Sequence, residues 1–148
     1  MKNDRPGTAD EIRHDLDVAL EWRGGLTFAA GKPGAPTILM DGDSKDGPSP
    51  PETLIGALAG CCAVDVVLIL EKRRTKPTAL TVSVRAERAE GNPRRVTKVH
   101  LGFRITGTGI ERAHAERAIE LAVTKYCTVR DSLDPEMPVL WSLELIEA

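Results

Sequence analysis

The chain has 148 residues, 41% of them hydrophobic and 28% charged, with a net charge of -2. That length buries a core without disulfide or metal staples. The charge balance gives no reason to expect nucleic acid or an anionic membrane as partner. Aromatic residues make up only 3%, so the core must be built from Val, Leu, Ile and Ala.

Residues 1–14 read as a mobile or weakly helical leader, and the chain as one domain over 1–148. The opening, MKNDRPGTADEIRHDL, is polar and has no basic-then-apolar signal sequence. A cytoplasmic setting is expected, in which the three cysteines are free or redox-active thiols rather than a disulfide framework.

Three short strands are expected in DLDVALEWRGGLTFAAGKPGAPTILMDGD, with turns at Gly24-Gly25 and at Lys32-Pro33-Gly34. The polar loop DGDSKDGPSP follows, and it ends in a helix start. Ser49 suits the N-cap, Pro50 the first helical position, and Glu52 completes a capping box. Beyond it, Leu54, Leu58, Cys61, Asp65 and Ile69 share one helix face, while Ile55, Ala59, Cys62, Val66 and Leu70 share the next. A helix apolar nearly all round is expected to be central and buried. Asp65 and the flanking charges interrupt the run too early for a comfortable membrane span. EKRRTKP brings basic residues to the last turn and a proline just after it.

Two alternating strands come next. Leu80, Val82, Val84 and Ala86 point one way in the first, and Val99, Leu101, Phe103 and Ile105 in the second. A second helix is expected from about Ile110 to Tyr126, burying Ala115, Ala118, Ile119, Ala122 and Tyr126 and keeping Arg112, Glu116 and Glu120 wet. A closing strand, VLWSLELI, completes the order βββ-α-ββ-α-β. The fold class is α+β, with two central helices packed against antiparallel sheets.

The chemistry of this chain lies in its thiols. Cys61 and Cys62 are roughly 16 Å from the start of their helix at 1.5 Å per residue, beyond the reach of its dipole. Any activation of a thiolate there must come from another side chain. Cys127 lies just past the second helix, where partial negative charge raises a thiol pKa, which makes it the poorer nucleophile and the better resolving thiol. A Cys61–Cys62 disulfide is disfavoured, because adjacent side chains on a helix diverge. Zinc is not expected: no Cys-x-x-Cys or His-x-x-x-His spacing occurs. His100 and His114 read as solvated surface residues, and no glycine-rich phosphate loop is present. Buried cysteine also serves as a small hydrophobe, so packing and reactivity both stay open on the residues alone. Asp65, one turn after Cys61, is costly to bury unless paired, and marks a polar pocket or an internal salt bridge.

ILMDGDSKDGPSPPETLIGALAGCCAVDVVLILEKRR and ELAVTKYCTV together resemble the OsmC/Ohr family of thiol-dependent hydroperoxide-detoxifying proteins, from about Leu20 onward. The match is closest to the general OsmC-like branch, whose central helix reads G-G-C-[ST]-A-[IV]-D-V-V. Anchoring on Ala63-Val64-Asp65-Val66-Val67 places the family's reactive cysteine on Cys61, and Cys62 where serine or threonine usually stands. Anchoring on the PE of the organic hydroperoxide branch places it on Cys62 instead; the longer match favours Cys61. The second cysteine maps onto Cys127.

The resemblance implies a two-cysteine peroxidase acting on organic hydroperoxides or hydrogen peroxide. Such a protein needs an external dithiol reductant and no bound cofactor, and has no nucleic-acid or membrane partner. It also implies an intertwined homodimer, an activating glutamate matched by Glu52 in the Cys62 frame, and an arginine for which Arg23 is the candidate, although no family motif marks that position. The alternatives are a non-catalytic, small-molecule-binding or structural dimer, and a thiol-based acyl or disulfide-exchange enzyme. The latter lacks a His partner motif.

Overall fold

The computed structural model describes residues 2–148; position 1 of the leader lies outside the described residues. The chain divides into two compact units, one ending at Pro50 and the other spanning Pro51–Ala148.

In the first unit the leader contributes one 3-10 turn, Ala9–Glu11. Strands β1 (Ala19–Trp22), β2 (Thr27–Gly31) and β3 (Ile38–Asp41) form an antiparallel sheet in that order. The predicted turns close it. Gly24 and Gly25 both take positive φ (101° and 54°), as does Gly34 (77°), a backbone region that favours glycine. The loop after β3 is organised by Asp41, whose buried carboxylate accepts the backbone N–H groups of Asp43, Lys45 and Asp46. Those bonds hold its pKa below the ordinary carboxylate value, the Asp46 bond contributing most.

Helix α1 (Pro50–Lys72) starts at the predicted proline. It ends in a Schellman turn: Thr75 N–H reaches Leu70 O and Arg74 N–H reaches Glu71 O, with Arg74 rather than a glycine at positive φ (61°). By length and composition α1 could cross a membrane. In the fold, however, Leu58, Ala59, Cys62, Val66 and Leu70 form one buried stripe against the core. The expectation of burial on every side is therefore not met within one chain. Val64 (59%) and Leu68 (50%) stay exposed.

Strand β4 (Ala79–Arg88) pairs antiparallel with β5 (Val96–Gly107). The inward residues of β5 are those expected from the alternation, and Val99, Leu101, Phe103 and Ile105 are buried. On β4, Leu80, Val82 and Val84 pack against the core, while Ala86 is exposed near the strand end. Strand β6 (Val139–Glu147) corrects the antiparallel expectation, for it runs parallel to β5. A period-two pattern is the same in either direction. The intervening α2 (Arg112–Leu121) supplies the long crossover that parallel strands need.

After Leu121 the helix widens into a π turn, Ala122–Tyr126, and then a short helix, α3 (Thr128–Asp131), follows. Ala115, Ala118, Ile119 and Ala122 are buried as expected, but Tyr126 is 50% exposed. The cause is the extra residue in the turn. Cys127 N–H bonds to Ala122 O, five residues back, so Cys127 takes the inward position that α spacing assigns to residue 126.

Candidate functional site

Two elements of the second unit bring the thiols together. α1 carries Cys61 and Cys62, and the π turn delivers Cys127. Cys62 (0% exposed) and Cys127 (3%) are buried in the core, whereas Cys61 is partly accessible at its edge. The three thus share one hydrophobic core cluster. The side chains of Cys61 and Cys62, adjacent on one helix, diverge. Cys127 is the one thiol of the three supplied by an element other than α1.

Burial pushes the Cys62 thiol far above its ordinary pKa, and contact with Cys127 adds to the shift; the charges of Cys127, Cys61 and Asp65 contribute further. Cys127 is also raised, by burial first and by Cys61, while the backbone N–H of Arg130 opposes the shift. That N–H donates to Cys127 Sγ at 3.3 Å, making Cys127 the N-cap of α3. Desolvation by burial is the first cause at Cys127. Among the described residues, no three His, Cys, Asp or Glu side chains are placed to hold a metal ion.

Arg130, which the motifs did not single out, fastens this site. Its guanidinium donates to the carbonyls of Asp134 (3.0 Å), Pro135 (3.3 Å) and Met137 (2.9 Å). It therefore folds the segment after α3 into the wall of an open cleft of about 430 Å3, lined also by Cys127, Leu133 and Val139. Neither Cys61 nor Cys62 lines that cleft. The arginine's only sequence signal was its position three residues after Cys127.

The other expected site residues stand apart. Asp65 lines a different cavity, of about 670 Å3, with Leu68, Ile69, Lys72, Arg73, Leu121 and Tyr126. Its Oδ2 is buried without a hydrogen-bond partner. Glu52 is exposed in the first turn of α1, about 13 Å up the axis from Cys61 and half a turn around it at 100° per residue. Arg23 belongs to the first unit, where it follows β1 and pairs with Glu21 at 3.5 Å. His100 is half-buried on β5, and His114 faces Glu111 at 3.6 Å on α2.

Residues 42–142 match the family model described as OsmC-like protein. The chain is 37% identical over 134 residues to Protein YhfA of Escherichia coli (strain K12), covering 90% of this chain and 100% of that protein. An OsmC-like protein from Mycoplasma pneumoniae shares the fold with a TM-score of 0.75 at 14% identity, over 91% of this chain and 99% of that one. The organic hydroperoxide resistance protein OhrB of Bacillus subtilis does so with a TM-score of 0.55 at 14% identity, over 87% and 96%. By the family match and the YhfA identity, this chain belongs to the OsmC-like family.

Proposed function

We propose that the protein is a two-cysteine, thiol-dependent peroxidase of stress defence, reducing organic hydroperoxides or hydrogen peroxide in a cytoplasmic setting. The observation that carries the reading is that a partly accessible thiol, Cys61, packs against the same core cluster that holds a buried one, Cys127. Family membership and the fold shared with an organic hydroperoxide resistance protein support it.

In this reading the Cys61 thiolate attacks one peroxide oxygen, the O–O bond breaks, and the alcohol or water leaves with a proton. Cys61 is then a sulfenic acid. The Cys127 sulfur attacks it, water departs, and a Cys61–Cys127 disulfide remains. An external dithiol reduces that disulfide to two thiols and is itself oxidised. The segment behind Cys127, tied down by Arg130, keeps the second thiol at hand.

Glu52 and Arg23 enter as supporting groups by resemblance. Since α1 holds Glu52 away from Cys61, its part in the reaction requires a second copy of the chain, which fits a homodimer. The apolar residues left exposed on α1 (Val64, Leu68) and on the first sheet (Leu20, Trp22, Ile38) are what a homodimer would cover.

The test is peroxide consumption by the full chain with dithiol donors, using wild type, Cys61→Ser and Cys62→Ser. The reading expects loss of activity in Cys61→Ser alone. Loss in Cys62→Ser with Cys61→Ser still active shifts the nucleophile to Cys62. Inertness of the wild type, with a ligand found in a pocket, selects the non-catalytic binding dimer.

A further inference from the structure

Three thiols share one core cluster where the proposed reaction uses two. Cys127 and both α1 cysteines belong to that cluster, and the third thiol, Cys62, is the most deeply buried. We propose that Cys62 is a redox residue in its own right. After Cys61 and Cys127 join, the Cys62 sulfur attacks Cys127, the Cys61–Cys127 bond breaks, and a Cys62–Cys127 disulfide forms with Cys61 released as a thiol. The proton leaving Cys62 ends on Cys61. No electrons enter or leave, so the two disulfides are isomers at one oxidation level.

The geometry favours this exchange over other pairings. In thiol–disulfide exchange the attacked sulfur lies between the attacker and the leaving group. Cys127, supplied by a different element of the same core cluster, is the sulfur common to the two pairings open to the α1 cysteines. A direct Cys61–Cys62 bond would be strained on a helix. Burial keeps Cys62 protonated, so the exchange is slow relative to formation of the first disulfide. The exposure difference sets the consequence. The first disulfide has one accessible end and is open to an external dithiol; the second has none. Isomerisation therefore stores the oxidised state out of reach of the reductant while returning Cys61 to the surface, and reversal by Cys61 makes it reducible again.

The proposal rests on the Cys61–Cys127 disulfide of the reading above, but its test needs no peroxide. The full chain is oxidised with diamide, sampled from seconds to an hour, quenched in acid, and denatured with N-ethylmaleimide. Tandem mass spectrometry then locates the label within the peptide bearing both α1 cysteines. The expected label lies on Cys62 at first and moves to Cys61, the ratio rising about tenfold or more. In Cys61→Ser, where no exchange route exists, Cys62–Cys127 forms at least about tenfold more slowly than in wild type. Cys62→Ser is re-reduced by dithiothreitol in one phase, the aged wild type in two. A label fixed on Cys62 throughout overturns the proposal, as does equally fast Cys62–Cys127 formation in Cys61→Ser. No Cys61–Cys127 disulfide under diamide overturns both this proposal and the peroxidase reading. Inertness to peroxide with the label shift intact overturns the peroxidase reading alone.

Discussion

Replacing Cys62 with alanine isolates the energetic consequence of a fully buried thiol. In the unfolded chain this thiol ionises around its ordinary value of 9.0, whereas in the fold burial holds it protonated well above that. A group with a raised folded pKa contributes stability that is fully present below the unfolded pKa and is lost as pH climbs toward the folded one. With the folded thiol silent, the loss between pH 9 and 10.5 is about 1.6 kcal/mol, and the limiting slope is about 1.4 kcal/mol per pH unit. Cys62→Ala lacks this component but keeps every other titrating group, Cys127 included. Urea unfolding of both proteins from pH 7 to 10.5, under a non-thiol reductant and at fixed protomer concentration, gives the difference directly. Near pH 7 the variant is the less stable, because the missing sulfur leaves a small cavity. The gap then narrows above pH 9 by the stated amount. Parallel curves through pH 10.5 would refute the reasoning, for they would mean that Cys62 ionises as readily folded as unfolded.

The remaining expectations concern access and packing. At pH 8 native-state alkylation labels Cys61 at least about tenfold faster than Cys62 or Cys127; equal rates contradict the burial order. Arg130→Ala frees the carbonyls of Asp134, Pro135 and Met137 and speeds alkylation of Cys127 about tenfold by local opening, with Cys61 unchanged. Leu101→Ala, at a fully buried β5 position paired with Val84 and Trp141, costs about 2–5 kcal/mol in urea unfolding; a cost below about 1 kcal/mol would place it outside the core. Asp41→Ala lowers the melting temperature. It also removes the part of acid stability that Asp41 supplies above its unfolded pKa of 3.8 and loses as pH falls through its lower folded value. An acid limb unchanged from wild type counts against that role.

Local signals in the sequence were legible where local physics decides the outcome. The glycine turns of the first sheet, the proline start of α1 and the alternation of β5 all follow from backbone sterics or side-chain period. The direction of β6 did not, since alternation carries no polarity and the deciding factor is the crossover through α2. The inward position of Cys127 was also hidden. α spacing points Tyr126 inward, and a single five-residue hydrogen bond from Cys127 to Ala122 shifts the register by one. The even hydrophobicity of α1 was plain, but a single chain covers only one of its faces. Motif resemblance paired Cys61 with Cys127, while the burial of Cys62 and Cys127 in one core cluster is a tertiary fact without a local signature. The same holds for Arg130, whose role depends on three carbonyls brought round by the segment that follows it.

The most direct measurement of the central claim is a thiol count after one equivalent of peroxide per chain in the absence of reductant. Free thiols are expected to fall from three to one in the wild type, with the disulfide joining Cys127 to an α1 cysteine, and Cys61→Ser is expected to leave the peroxide unconsumed. Three free thiols and unaltered peroxide in the wild type would contradict it.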